Sequence, residues 1–178
     1  MGPMFAGKTT SIIRRVKELE SEGKKVKVFK PVVDNRYGKD VICTHDKLKL
    51  KAYNIKGLEE IKVDDADVIV IDEFHFFPSD ILDYCRKFKK SGKHVILAGL
   101  NFDHLGDPIK FKDLKKDSED LKRMADEIHL LKSKCAICGK EANMTERTVK
   151  TENYSLVGGA ESYRPVCEEH HQKWKKSR

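Results

Sequence analysis

The sequence predicts an α/β fold in which a mainly parallel sheet is flanked by helices and followed by a small C-terminal unit. Segments with helical spacing of apolar residues alternate with short apolar runs that are typical of strands. A glycine-rich segment directly precedes the first helical segment, and cysteines and histidines cluster near the C-terminus. Because alternating helices and strands imply crossover connections, we expect the strands to be parallel.

Two helices are predicted from periodicity. Apolar side chains recur at intervals of three and four residues in 12–19 and again in 81–88, which gives each helix one apolar face. Gly23 and Gly92 are expected to end these helices.

Four segments are predicted to form strands. Residues 67–72 are a β-branched run between two aspartates, as in a strand buried on both faces, and 94–98 is expected to be a second buried strand. Residues 26–29 give a third strand. Residues 48–52 alternate apolar side chains with lysines, which predicts an exposed edge strand or a hairpin.

Size and composition favour one main domain with a small appendage, since the chain has 178 residues and 39% of them are hydrophobic. No apolar stretch of membrane-spanning length and no secretory leader is present, so we expect a cytoplasmic protein without a membrane partner. The net charge of +7 is spread among acidic residues, which indicates a basic surface rather than a nucleic-acid-binding face. Five cysteines, an odd number, favour a metal site over a disulfide framework.

The glycine-rich segment is GPMFAGKT, which fits the pattern G-x-x-x-x-G-K-[ST]. In such a loop, backbone N–H groups surround phosphate oxygens, the lysine binds the outer phosphates and the final hydroxyl binds Mg²⁺. A helix must follow the loop at once, and the helical pattern begins directly after Thr9. The predicted phosphate-binding residues are Gly2, Pro3, Met4, Phe5, Ala6, Gly7, Lys8 and Thr9, with Thr9 also on the Mg²⁺ of ATP.

A pair of acids ends the strand predicted at 67–72. Asp72 stands where a carboxylate can reach the Mg²⁺ of a bound nucleotide, and Glu73 follows it. Ligands bind at the carboxyl ends of parallel strands, so the pair favours a nucleotide site over a solvated strand end.

Two pairs of potential metal ligands lie near the C-terminus, in the patterns C-x-x-C and C-x-x-H. Three thiolates and one imidazole complete a tetrahedron with no open position, which predicts a structural zinc ion. The predicted ligands are Cys135, Cys138, Cys167 and His170. His171 is a rival to His170, and the spacing favours His170. Cys43 and Cys85 are expected to be packed thiols rather than ligands.

The chain resembles the type II thymidine kinases in six segments that occur in the family's order and at nearly its spacing. The segments are GPMFAGKTT, VVDNRYGKDVICTHD, VIVIDEFHFFP, GKHVILAGLN, CAICGKEANMTER and VGGAESYRPVC. The resemblance covers the whole chain. It implies a P-loop nucleotide-binding domain over residues 1–131, a small zinc-binding domain over 132–178, and transfer of the γ-phosphate of ATP to the 5′-hydroxyl of thymidine, with deoxyuridine as a further acceptor, in nucleotide salvage.

The resemblance also implies roles on the phosphate side. Glu73 matches the family's catalytic base, and Asp72 matches the acid on the Mg²⁺ side. Asp34 and Arg36 match a D-x-R pair near the phosphates, for which a surface turn is the alternative.

The acceptor side is implied in the same way. Residues 100–109, called the lasso loop below, match a family loop that folds over the nucleoside base and binds it mainly through backbone groups. His104 and Ile109 stand where aromatic residues are frequent, and Asn101 where an aspartate is frequent, so weaker base stacking is expected. For Tyr163 a purely structural role is the alternative. The implied thymidine-binding residues are Met4, Leu100, His104, Ile109, Thr145, Val157, Gly159 and Tyr163.

The family further implies a homotetramer, feedback inhibition by dTTP and a short strand in front of the phosphate-binding loop. Since no such strand precedes Gly2, we expect a truncated or misassigned start rather than a different fold.

Two other functional classes stay open. A nucleic-acid-binding ATPase with a zinc ribbon would need basic or aromatic residues grouped on the ribbon, which 145–163 does not clearly show. A non-catalytic nucleotide sensor is the other class, and Glu73 beside Asp72 argues against it.

Overall fold

A computed structural model describes residues 1–34, 38, 40–43, 48–63, 65–151 and 156–177. The helices in these parts of the chain are α1 (Lys8–Ser21), α2 (Ile81–Lys90), α3 (Ser118–Met124) and α4 (Glu168–Lys176). The strands are β1 (Val26–Pro31), β2 (Val41–Cys43), β3 (Lys49–Lys51), β4 (Tyr53–Ile55), β5 (Val68–Ile71), β6 (His94–Leu97), β7 (Ser133–Lys134), β8 (Glu141–Ala142), β9 (Met144–Arg147) and β10 (Tyr163–Val166). The two periodic helices and the strands expected around 26–29, 67–72 and 94–98 are confirmed.

A four-stranded parallel sheet forms the centre, in the order β4, β1, β5, β6. Successive side chains of a strand point to opposite faces, and β5 shows the result. Val68 and Val70 pack in a cluster with the apolar face of α1, whereas Ile69 and Ile71 pack in a second cluster with α2. The sheet therefore has a helix on each face, as the α/β prediction requires.

The prediction that 94–98 is a buried strand is wrong in part. In β6, His94 is exposed and the next three residues are only half-buried. The reason is its place in the sheet, because β6 lies at the edge and pairs with β5 on one side. An apolar run shows that a strand packs between layers, but it does not reveal the strand order.

The remaining strands form antiparallel pairs. β2 pairs with β3, which confirms the hairpin alternative for 48–52. In the C-terminal part, β7 pairs with β8 and β9 with β10, and α4 follows β10. The division into domains at 131 and 132 stays a prediction. In the described part of the chain, no helix has the length and apolar character that a membrane crossing requires.

Candidate functional site

The phosphate-binding loop leads directly into α1. Gly7 has φ +74°, a left-handed conformation that glycine adopts without steric cost, and its carbonyl accepts the first helical bond, from the Ser11 N–H. The N–H groups of a first helical turn and the positive end of the helix dipole make a helix start favourable for an anion. The ammonium group of Lys8 is held over the loop, where it donates to the carbonyl of Pro3 at 2.7 Å and to that of Gly2 at 3.2 Å.

Gly2 packs closely against two other segments of the chain, at Gly99 and at Leu131. Its N–H donates to the carbonyl of Gly99 beside β6. A Cβ atom on residue 2 would lie 2.5 Å from the carbonyl oxygen of Leu131, which is backbone and cannot yield as a side chain can. The first glycine of the motif is thus required by close packing, and it anchors the loop to the sheet edge.

Asp72 and Glu73 follow the carboxyl end of β5, as predicted. Burial, and then the charge of Glu73, raise the pKa of Asp72 from 3.8 to about 7, while Lys8 opposes the shift. A cation bound nearby would stabilise the ionised form of this carboxyl group, which burial disfavours. Glu73 has φ 51° and ψ 48°, a left-handed conformation that costs a non-glycine residue about 1–3 kcal/mol and occurs mainly at functional sites.

One cavity of about 530 Å³ joins these elements. Its wall contains the phosphate-binding loop from Met4 to Thr9, together with Glu73. All eight residues implied for thymidine binding also line it: Met4, Leu100, His104, Ile109, Thr145, Val157, Gly159 and Tyr163. Asp34 is buried near Asp72, whose pKa its charge raises further. Arg36 lies outside the described residues.

The lasso loop is closed by its own hydrogen bonds. Asp103 accepts from the N–H groups of Leu105 and Asp107 through Oδ1, at 2.8 and 3.0 Å, and its own N–H donates to the Asp107 carbonyl. The Ile109 N–H donates to the Asn101 carbonyl and brings the ends of the loop together. Asp103 was missed by sequence reasoning, although an aspartate two residues before a Leu-Gly-Asp-Pro turn is a recognisable turn signal.

The hairpin of β9 and β10 forms another part of the cavity wall, through Thr145 and Tyr163. The hydroxyl of Thr145 accepts from the N–H of Met4 at 3.0 Å, so it joins the phosphate-binding loop to the C-terminal part. The hydroxyl of Tyr163 donates to the carbonyl of Leu156 at 2.8 Å, and burial raises the pKa of Tyr163. This bond fixes the ring at the cavity wall, so the tyrosine has a structural contact as well as a lining position.

His75 is a second residue that sequence reasoning missed. It is buried at the cavity wall, and its Nδ1 atom lies 3.8 Å from Oε2 of Glu73. The only available signal was its place two residues after Glu73.

Of the two thiols expected to be packed, Cys85 lies in the core, where burial raises its pKa to about 12, and Cys43 is buried at the cavity wall.

The predicted metal ligands come together. One ligand atom from each of Cys135, Cys138, Cys167 and His170 lies within 4.8 Å of the others. The Sγ atoms of Cys138 and Cys167 are 3.8 Å apart, which matches the edge of about 3.8 Å in a tetrahedron with Zn–S bonds of about 2.3 Å. Burial opposes ionisation of Cys135, but backbone hydrogen bonds from 167, 138 and 137 lower its pKa to about 6, which suits a thiolate ligand. The donors therefore fit zinc.

The rival histidine is placed elsewhere. Nδ1 of His170 lies 3.6 Å from Sγ of Cys135 and 3.1 Å from Sγ of Cys167. His171 is buried on another side of α4, and its Nε2 contacts the carbonyl of His104 at 2.9 Å. The C-x-x-H spacing thus selected the histidine that the structure brings into the cluster.

Comparisons with known proteins agree with this geometry. A family model described as thymidine kinase matches residues 1–171. The chain is 37% identical over 184 residues to a thymidine kinase of Thermococcus kodakarensis, with 96% of this chain and 90% of that protein covered. It is 34% identical to thymidine kinases of a Rhodothermus species and of Bacteroides thetaiotaomicron, with 93% and 94% of this chain and 76% and 82% of those proteins covered. The chain belongs to the thymidine kinase family.

Proposed function

We propose that this protein transfers the γ-phosphate of ATP to the 5′-hydroxyl of thymidine and so serves nucleotide salvage. The observation that carries the proposal is the single cavity described above, in which a phosphate-binding loop, an acid at a strand end and the lasso loop face one another. Membership of the thymidine kinase family and the names of the relatives support it. A donor phosphate and an acceptor hydroxyl can meet in such a cavity.

On the donor side, residues 2–9 would hold the phosphates of ATP. Lys8 already lies across the loop, and its bonds to the carbonyls of Pro3 and Gly2 can be exchanged for phosphate oxygens. Thr9 and Asp72 would hold Mg²⁺, which when bound neutralises charge on the phosphates. Asp34 is buried close to Asp72 and would support this side, together with Arg36.

Glu73 would accept the proton of the 5′-hydroxyl. Glu73 lines the cavity, whereas Asp72 is buried next to it and is assigned to the Mg²⁺. Transfer of a phosphoryl group needs mainly positioning and charge neutralisation, so a base near the hydroxyl completes the requirement.

On the acceptor side, the base of thymidine would lie between the lasso loop and the hairpin of β9 and β10. Leu100, Ile109 and Val157 offer apolar surface. The hydroxyl of Thr145 offers a polar group, and the backbone of Gly159 forms part of the wall. Met4 lies where the two sides meet, because its N–H is bonded to Thr145. His104 presents an imidazole where a larger aromatic ring is common in the family, which supports the expectation of weaker stacking.

Several finer properties belong to the same proposal. We propose one structural zinc ion per chain, bound by the four-residue cluster, a homotetrameric assembly, inhibition by dTTP at the substrate cavity, and a cytoplasmic location. ATP and thymidine account for the proposed reaction, so no nucleic-acid or membrane partner is proposed. The family relationship and the donor geometry support these points.

A thermal-shift panel tests the function. At about 100 times its Kd, thymidine should stabilise the protein by about 2.7 kcal/mol, which raises Tm by about 5–10 °C for a chain of this size. Deoxycytidine, deoxyguanosine and a single-stranded oligonucleotide are the comparison ligands, and phosphorylation of labelled thymidine is measured in parallel. A rise in Tm with the oligonucleotide alone would instead identify the nucleic-acid-binding ATPase.

Replacing Asp72 by Asn should stabilise the ligand-free protein and weaken its binding of Mg²⁺ and ATP. The pKa of Asp72 is raised on folding, from 3.8 to about 7, so its contribution to stability is present at low pH and is lost as the pH rises through that range. At pH 8 the variant should therefore gain about 1.4 kcal/mol or more over the parent, and much less at pH 4. Urea unfolding at both pH values measures this difference.

Asp67→Asn is the matched control, because this exposed aspartate lies just before the same strand and outside the cavity. Its stability should follow that of the parent at both pH values. An equal gain in the two variants, or a gain in neither, would contradict the assignment of the raised pKa to Asp72.

A further inference from the structure

Helix α4 does more than carry a metal ligand. Cys167 lies just before the helix and His170 in its first turn. Both belong to the four predicted zinc ligands, Cys135, Cys138, Cys167 and His170, which are called the metal cluster below. Three other residues, His171, Trp174 and Lys175, lie along the face of α4 that contacts the lasso loop. The metal cluster does not use these contacts, and they converge on consecutive residues of the loop.

The first contact is a buried hydrogen bond. Nε2 of His171 lies 2.9 Å from the carbonyl oxygen of His104, and a carbonyl can only accept, so His171 donates through Nε2–H. The ring of His171 packs against Trp174 with centroids 5.5 Å apart, and the ring of His104 meets the same indole edge to face at 6.3 Å. The indole therefore supports both partners of the hydrogen bond.

The next two residues of the loop are held as well. Nζ of Lys175 donates to the carbonyl of Leu105 at 2.7 Å. Gly106 has φ +85°, and a Cβ atom there would lie 2.9 Å from Cε1 of His171, so the backbone of the loop rests directly on the imidazole. Three consecutive residues are thus fixed from one side by one helix.

The other side of the lasso loop faces the cavity, where His104 and Ile109 form part of the wall. We propose that α4 positions the lasso loop for the acceptor, with His171 and Lys175 as positioning residues that act through the carbonyls of His104 and Leu105. This inference rests on the proposed function in one respect, namely that the lasso loop binds thymidine. It adds a second task for the metal cluster, because the cluster holds the start of the helix that holds the loop.

Four variants test the proposal in the zinc-loaded protein. His171→Phe keeps an aromatic ring beside Trp174 and removes the donor, while His171→Gln returns a side-chain N–H. Lys175→Ala removes the second bond. Lys173→Ala is the matched control, because this neighbouring lysine on the same helix pairs with Glu169 and not with the loop.

Three quantities are measured for each variant. Hydrogen exchange of residues 100–110 without ligand reports the position of the loop, elemental analysis reports zinc, and steady-state kinetics report KM for thymidine and KM for ATP separately. His171→Phe and Lys175→Ala should speed exchange and raise KM for thymidine about three- to tenfold, the range expected for one lost hydrogen bond. KM for ATP and zinc content should stay within twofold of the parent, and Lys173→Ala should match the parent throughout.

Different results overturn different claims. Unchanged exchange in both His171→Phe and Lys175→Ala would overturn the positioning role of α4, as would equal increases in the two KM values. If His171→Phe lost zinc, the effect of Lys175→Ala alone would decide, because Lys175 is exposed and outside the cluster. Faster exchange with an unchanged KM for thymidine would show that α4 holds the lasso loop. It would overturn the claim that the lasso loop binds the acceptor. Partial recovery by His171→Gln would support a hydrogen bond as the cause.

Discussion

Replacing Glu73 by Gln is expected to lower kcat by about two to four orders of magnitude, the range typical for removal of a general base. The 5′-hydroxyl of thymidine is a weak nucleophile at neutral pH, and a carboxylate within hydrogen-bond reach can take its proton as the new bond forms. Gln keeps the size and most hydrogen bonds of Glu but cannot accept this proton. Binding of thymidine should therefore remain nearly intact.

The measurement is steady-state phosphorylation of labelled thymidine, with the affinity for thymidine determined by calorimetry on the same preparation. Glu60→Gln, on an exposed turn outside the cavity, controls for the loss of one carboxylate. If Glu73→Gln kept kcat within about threefold of the parent, far short of the range for a general base, the proton acceptor would have to be another group. Asp34, buried near Asp72, would be the first candidate.

Removal of the metal should abolish the fold of the C-terminal unit. The apolar core beside the cluster is small: Cys135, Ala142, Val166 and Cys167 are buried, and Met144 packs against them. Burial of a few side chains at about 1.5–3 kcal/mol each cannot offset an ordering cost of about 1–2 kcal/mol for every residue fixed. Structural zinc sites contribute about 10–16 kcal/mol of apparent binding free energy coupled to folding, which is the size of term that is needed.

Elemental analysis should therefore find one zinc ion per chain, and Cys138→Ser should lower that value and speed hydrogen exchange in 132–151 and 156–177. Thymidine binding should weaken as well, because the hairpin of β9 and β10 and the lasso loop both depend on this unit. Cys85→Ser is the control, since Cys85 is a buried thiol outside the cluster and its variant should keep zinc. A metal-free preparation with full activity would refute the structural role.

Local patterns predicted the parts of the site that are local. The phosphate-binding loop, the acids after β5 and the C-x-x-C and C-x-x-H pairs each need only a few neighbouring residues to be recognised, and the structure places them as expected. The alternation of helices and strands likewise predicted the parallel sheet. A helix that connects two strands crosses over one face of the sheet and lets the second strand run parallel to the first.

The other features depend on contacts between distant segments. The edge position of β6 follows from strand order, which its own apolar run does not contain. His75 and Asp103 acquire their places at the cavity wall through the fold of the surrounding loops, and His171 meets the lasso loop across a long stretch of sequence. Spacing separated His170 from His171 as metal ligands, yet it gave no sign that the second histidine has a contact of its own.

The close approach of Gly106 to His171 also has an evolutionary consequence. A side chain at position 106 would strain the backbone and collide with an imidazole that is buried, hydrogen-bonded and packed on an indole, so neither partner can change alone at little cost. Among related sequences, positions 106 and 171 should therefore vary together. Glycine should persist wherever a ring occupies position 171. In lineages that lose the ring, the positive φ should still restrict position 106 to glycine or to a residue such as asparagine that tolerates it.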